Sequence, residues 1–313
     1  MKKRRLKKGP IIFLGGLILT IVLFSIVIGL YKHYTSYEYK LGKIGYNDEE
    51  INEIIKLDKT YIDYALKKYD KYLISLANQK YFIWSRYDEY VSFIKKNYKN
   101  KSIDYKFVVS KVNTNTNYDY YTHTSKTDMN KGYAILVNKY HSLPDKYAPD
   151  DIVSMSNQYA YPNNSIRSDV YEAFKKMSKK AKEDGITLIV NSSYRDYASQ
   201  KKIYEEYEDK RGQKYADSVA ARPNYSEHQT GLALDIFTPG AGMKNFENTK
   251  AFEWLSKNAY KYGFILRYPK DKDGLTGYAH ESWHYRFLGE DLAKKVFDSG
   301  LTFDEYYAYY LDK

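Results

Sequence analysis

No charged residue interrupts the twenty positions from Ile11 to Leu30, and nearly all of them are apolar. At about 1.5 Å rise per residue, a helix of that length spans roughly 30 Å, the thickness of a bilayer's hydrocarbon core. The run predicts an uncleaved transmembrane anchor over 11–30. The competing reading is a cleaved signal peptide, which has a shorter apolar stretch and then a small-x-small site. Here the run ends in Gly29-Leu30-Tyr31-Lys32-His33, and no cysteine follows that could take a lipid.

Beyond the anchor the spacing becomes helical and rich in Tyr and Lys. Asn47-Asp48-Glu49-Glu50 reads as a capping box before Ile51, Ile54 and Ile55. A second helix is predicted from Tyr61 through Leu66, Tyr69 and Leu73 to Leu76, and a third around Phe82 to Ile94. Together they predict a helical stalk or small bundle over 34–100, with its aromatic stripe used for packing rather than as a ligand box. Residues 101–131 are polar and predict a loop-rich connection with one strand-like run, Phe107-Val108-Val109. His123 in this stretch is expected to be solvated.

From Gly132 the texture changes. Ala134 to Val137 is a candidate buried strand. Ser168 to Asp184 is an amphipathic helix ended by Gly185. Ile186 to Val190 is a strand, and Ala198 to Lys210 a helix. Leu232 to Phe237 is a strand, Thr249 to Tyr262 a helix and Phe264 to Leu266 a strand. Thr302-Phe303-Asp304-Glu305 is a second capping box. Helices and strands mix without a regular βαβ repeat. The expected class is α+β, a small mixed or antiparallel sheet with flanking helices, over 132–313.

Charge and composition refine this picture. The net charge is +11 and there is no cysteine. Lys2, Lys3, Arg4, Arg5, Lys7 and Lys8 lie in the tail 1–10, and no Asp or Glu precedes residue 31. By the positive-inside rule the N-terminus is cytoplasmic and the rest extracellular. Without those six the remainder has 44 basic against 39 acidic residues, or +5. That is too mild for a nucleic-acid binder and suits an anionic surface such as a cell wall.

The candidate chemistry sits in SEHQTGLALDIF, residues 226–237, and ESWH, residues 281–284. A hydrolytic zinc takes three protein ligands and leaves one position for water. His228, Asp235 and His284 can supply such a set without a thiol. Seven residues along an unbroken strand would put His228 and Asp235 on opposite faces. A bend is therefore required, and Gly231 is placed to provide it. Small Ala233 lets the backbone pass close to the site. Glu281, three before His284, is the candidate general base, taking a proton from the attacking water and returning it to the leaving amine. His280 is expected beside the site or at the surface. His33 and His141 fit no pattern.

S-x-H-x-x-G-x-A-x-D followed by E-x-W-H resembles the signature of the VanY-type zinc D-alanyl-D-alanine carboxypeptidases. It is shared with peptidoglycan L,D-carboxypeptidases and some phage endolysins. The resemblance covers about Tyr133 to Gly289, with supporting stretches at 135–153, 192–200 and 267–278. It implies a zinc DD-peptidase (hedgehog-like) fold, Zn²⁺ on His228, Asp235 and His284, and Glu281 as base. It also implies Arg195 in the substrate pocket, where a guanidinium can face an oxyanion or a substrate carboxylate. Ser226 and Gln200 match substrate hydrogen-bonding positions, and Tyr194 and Trp283 wall the pocket or serve as core aromatics. The chain departs from the family at Ser282, where Pro is common, at Asn224 after Pro223, where Gly is common, and at Asp196, where Ser is common. Asn tolerates left-handed backbone, so that turn is expected to survive.

The expected function is a membrane-anchored carboxypeptidase that removes C-terminal D-Ala from peptidoglycan stem peptides. The alternatives are L,D-carboxypeptidase action on tetrapeptide stems, a peptidoglycan endopeptidase, or a catalytically dead wall-binding protein. Glycopeptide resistance and ordinary wall maturation need the same chemistry, and oligomeric state leaves no trace in the sequence.

Overall fold

The computed structural model describes residues 8–312, so most of the basic cluster used for the orientation argument lies outside the described residues. The chain forms two compact units, residues 1–84 and 85–313.

The first unit begins with α1 (Lys8–Thr35), whose Ile18–Thr35 stretch is long and apolar enough to cross a membrane. Four short helices follow: α2 (Tyr37–Ile44), α3 (Asp48–Ile54), α4 (Lys59–Ala65) and α5 (Leu73–Ala77). The Asn47/Glu50 capping box forms in both directions at 2.9 Å. Leu41, Ile54, Ala65, Leu73 and Leu76 are buried together with Ile51 and Ile62. At about 1.5–3 kcal/mol per buried large aliphatic side chain, these apolar faces hold helices too short to persist alone. The single helix expected from Tyr61 to Leu76 is broken. Asp70 accepts from Tyr72 N and from the Tyr64 hydroxyl, while Tyr46 Oη donates to Lys68 O and accepts from Asp70 N. These bonds replace the helical ladder with a turn.

The second unit opens with α6 (Tyr87–Asn97) packed on α7 (Tyr105–Asn113). The strand-like run Phe107-Val108-Val109 therefore lies in a helix. Asp104 caps it by accepting from Phe107 N at 2.9 Å, and Val108 and Val112, one turn apart, are both fully buried. Three apolar residues in a row have no period of their own, so the cap and the i,i+4 pair decide. Two short ribbons come next: β1 (Ser125–Lys126) with β2 (His141–Ser142), parallel, and β3 (Ile152–Ser154) with β4 (Ser165–Arg167), antiparallel. Of the strand expected at Ala134 to Val137, Ile135, Leu136 and Val137 are buried, but the run pairs with no ladder. Its neighbourhood is held instead by Arg286, which donates to the carbonyls of Tyr133 and Ile135.

The remaining elements mix helices and strands. They are α8 (Ser168–Glu183), β5 (Ile189–Ser192), α9 (Tyr197–Arg211), α10 (Gln213–Val219), β6 (Ala233–Phe237), α11 (Lys250–Asn258), β7 (Phe264–Leu266), α12 (Asp273–Thr276), β8 (His284–Phe287), α13 (Glu290–Ser299) and α14 (Phe303–Tyr306). The four long-range strands make one antiparallel sheet in the order β5-β6-β8-β7. Val170, Phe174, Met177 and Ala181 recur on one face of α8 and join the core with Val190, Leu234, Ile236, Phe264 and Tyr285. The class is α+β, as expected.

Candidate metal centre and active site

β6 and β8 run antiparallel with Asp235 directly opposite His284. Directly opposed residues point to the same face, so the register alone joins a carboxylate to an imidazole. His228 arrives from a 3-10 turn, Glu227–Thr230, that precedes β6. Gly231 closes this turn at φ +66°, and a Cβ there would meet Arg167 Cγ at 2.7 Å. The bend required between His228 and Asp235 is therefore made at the one residue with neither a left-handed penalty nor a side chain. Asn224 likewise sits at φ +69°. Ala233 stands opposite Arg286, where its small side chain leaves room for a buried guanidinium.

The donor atoms of His228, Asp235 and His284 all lie within 4.8 Å of one another, and all three residues are buried. His228 binds the Ser193 carbonyl through Nδ1 at 2.7 Å, which turns Nε2 toward Asp235. His284 binds Glu227 through Nε2 at 3.2 Å, which turns Nδ1 the same way. Asp235 Oδ1 lies 3.6 Å from His228 Nε2 and 3.2 Å from His284 Nδ1. It is nevertheless a buried oxygen without a hydrogen bond. Three lone pairs directed at one point, one of them on an orphaned carboxylate oxygen, fit a divalent cation and are costly without one. Imidazole and carboxylate donors suit a metal of the zinc type.

Glu281 approaches this cluster from the turn before β8, its Oε2 3.7 Å from His284 Nδ1. Burial first, and then the Asp235 and Glu227 carboxylates, push its carboxyl up to about 7, against the opposing pull of His284. Burial drives His228 down to about 4. Burial also disfavours charge on His284, but the Asp235 and Glu227 carboxylates outweigh it and raise the ring to about 9. Asp235 is held below its usual range despite burial, because His228 and His284 favour its charged form.

A cavity of about 250 Å³ opens over these groups. Arg195, Gln200, Ser226, Glu281 and Trp283 line it together with the metal-type cluster. Arg195 donates to Gln200 Oε1 at 2.8 Å and to Ser192 Oγ at 3.1 Å, so its guanidinium has a fixed aim. Gln200 is buried, and its amide nitrogen donates to the Ala221 carbonyl at 2.7 Å. Trp283 also stacks on Phe237. Tyr194 does not belong to the cavity lining; its backbone N–H bonds Ser165 O. His280 bonds the Tyr268 carbonyl and lies 3.5 Å from Glu247, away from the cavity.

Sequence reasoning missed two parts of the site. One is the wall of Ile203, Tyr207, Val219, Tyr268, Tyr278 and Met243, spread over five segments and without any shared spacing. The other is a buried ionic network behind His284. Glu227 Oε1 accepts from Arg267 Nε and Arg286 Nη1, both at 2.8 Å, and Arg267 also pairs with Asp304. All four side chains are at most 2% exposed. A usable signal existed: Arg286 is a charged residue inside the short apolar strand HYRF, two positions from His284 and thus on its face.

The fold and the donor set together fit a metal-dependent hydrolase domain. Residues 163–290 match the family model described as VanY: D-alanyl-D-alanine carboxypeptidase, and the chain belongs to this family through that segment. The putative carboxypeptidase YodJ of Bacillus subtilis (strain 168) is 40% identical over 179 residues, 55% of this chain and 66% of that protein. A D-alanyl-D-alanine carboxypeptidase of Enterococcus faecium is 32% identical over 188 residues, 57% of this chain and 58% of that protein. The chain thus spans just under two thirds of the length of the first relative and less of the second. Among solved structures, the LdcB LD-carboxypeptidase superposes with a TM-score of 0.57 at 36% identity, covering 60% of this chain and 91% of that chain.

Proposed function

We propose that the protein is a membrane-anchored zinc D-alanyl-D-alanine carboxypeptidase acting on peptidoglycan stem peptides. The supporting observation is the convergence of His228 Nε2, Asp235 Oδ1 and His284 Nδ1 beside Glu281, under the cavity that Arg195 lines. In this reading those three atoms hold Zn²⁺, which when bound acidifies water to a pKa of about 7 and polarises the scissile carbonyl. Glu281 takes the proton of the attacking water and hands it to the leaving amine. Arg195, aimed by Gln200 and Ser192, faces the oxyanion or the substrate's terminal carboxylate. Ser226 and Trp283 border the leaving residue, and Gln200 acts through Arg195.

The layout proposed with this activity is a cytoplasmic tail (1–10), an anchor (11–30), a helical stalk (34–100), a connection (101–131) and an extracellular catalytic domain (132–313). The second reading, L,D-carboxypeptidase action, is favoured by the likeness to the LdcB LD-carboxypeptidase. Full-length protein in detergent, incubated with synthetic pentapeptide and tetrapeptide stems, separates the two by the mass of the released amino acid. D-Ala from the pentapeptide alone is expected. Release from the tetrapeptide alone moves the assignment to the second reading. No release from either, with zinc bound, overturns both.

A further inference from the structure

Behind the metal-type cluster lies a layer of charge that none of the proposed chemical steps uses. Glu227 is the residue before His228 at the edge of the cavity, and its side chain reaches His284, Arg267 and Arg286. Its two oxygens do different work. Oε1 accepts from both guanidinium groups, and Oε2 lies 3.2 Å from His284 Nε2. Guanidinium groups only donate, so Oε1 is committed as an acceptor. A carboxylate also only accepts, so the proton between Glu227 and His284 belongs to the imidazole, on Nε2. In the neutral ring, His284 Nδ1 then presents a lone pair to the point where Asp235 Oδ1 is aimed.

We propose that Glu227 is a positioning residue that fixes the tautomer of His284 and thereby makes Nδ1 a metal donor. Arg267 and Arg286 lock the orientation of Glu227 from behind. The Ser193 carbonyl plays the matching part for His228, accepting from Nδ1 at 2.7 Å and leaving Nε2 free. The inference rests on the reading of His284 as a metal ligand. It adds that the neighbouring glutamate, not the chance environment of the ring, decides which nitrogen is available.

The isosteric substitution Glu227→Gln tests this with unusual selectivity. Arg267 and Arg286 still demand an acceptor, so the amide oxygen of the new side chain must take the place of Oε1. Its NH₂ group then faces His284 Nε2 and needs a lone pair there. The ring must move its proton to Nδ1, where it blocks the metal. Asp304→Asn is the control, because it removes a charge from the same network, on the far side of Arg267, without touching His284. Zinc affinity of the full-length proteins is measured by competition with a chromogenic chelator, and folding by thermal denaturation of the metal-free forms. E227Q is expected to bind zinc about 10- to 100-fold more weakly than wild type. D304N is expected to lose stability but to stay within about threefold in zinc affinity. Equal affinity losses in the two variants would make Glu227 merely structural and overturn the proposal.

If E227Q does not fold, the wild type decides. With ¹⁵N-labelled histidine, ring correlations assign the proton of His284 in the zinc-loaded protein, and in metal-free protein with the ring neutral. A proton on Nε2 is expected, and a proton on Nδ1 overturns the inference. Should the wild type hold no zinc, the proposed function falls, while the metal-free spectrum still settles the tautomer.

Discussion

Among single residues, Glu281 has the clearest separable task. It lies beside the donor cluster but contributes no atom to it. Glu281→Gln keeps the shape and removes the basic oxygen. The variant is expected to retain stoichiometric zinc and lose about 10²- to 10⁴-fold in turnover, the usual contribution of a general base. Metal analysis paired with the stem-peptide assay reads both quantities, and turnover within tenfold of wild type would assign the base elsewhere. Lys139 makes a different prediction. It is fully buried, its ammonium donates to Asp217 O at 2.6 Å, and it lies 3.7 Å from the Tyr120 ring centre and 4.3 Å from that of Tyr278. Burial pushes it down to about 7, with Asp217 and Glu281 opposing. In the unfolded chain a lysine titrates at about 10.4. Between about pH 7 and 10 the unfolded state therefore binds more protons, and stability rises with pH. Below about 7 both states are charged and the cost of burial is undiminished. Lys139→Met removes this slope. Denaturation midpoints at about pH 6.5 and about pH 9 should rise more in wild type than in the variant; parallel behaviour would show that the ammonium stays charged in the fold.

For the elements, the decisive piece is the turn that feeds β6. Gly231→Ala places a methyl in left-handed backbone, 2.7 Å from Arg167 Cγ and 3.0 Å from Ile152 Cδ1. A cost of about 1–3 kcal/mol is expected from strain of this kind. Because the same turn aims His228, zinc affinity should fall along with the unfolding midpoint. A variant as stable as wild type with unchanged zinc binding would show that the bend is not set here. This turn was legible in advance, since two ligands seven residues apart cannot share a strand face and a glycine lay between them. The other elements were read where a periodic face or a cap showed in the sequence, as in α8, which Gly185 closes, and in both capping boxes. They were misread where non-local bonds ruled. Phe107 to Val109 became helical through Asp104 and its packing. The carbonyls at Tyr133 and Ile135 went to a guanidinium more than 150 positions away in sequence. Glu227 was visible beside the motif, but its partners lie on β8 and in the segment after β7. Only the assembled sheet brings them together.

In the whole molecule, a hydrophobic helix of the first unit and a hydrolytic site of the second are joined in one chain. The site is assembled from residues 192 to 304, all within the second unit. Chemistry and attachment should therefore be separable. A chain lacking residues 1–35 has lost the twenty uncharged residues that would cost least to place in hydrocarbon. It is expected to move from the membrane pellet to the soluble fraction, while its turnover on a short soluble stem peptide stays within about twofold of the full-length protein. Turnover on intact, wall-bound peptidoglycan in cells should fall if the helix is an anchor, because an anchor would hold the enzyme near that polymer at a high effective concentration. Metal provides the internal control for both forms. Chelation should abolish turnover and lower the unfolding midpoint of the truncated and full-length proteins alike, since zinc at about 100-fold above its dissociation constant stabilises by about 2.7 kcal/mol. Re-addition of zinc should restore both. If the truncated chain remained in the pellet, attachment would reside in the cationic or aromatic surface of what is left rather than in the helix. If it lost turnover on the soluble peptide while still binding zinc, the first unit would be part of the catalytic apparatus and not its tether.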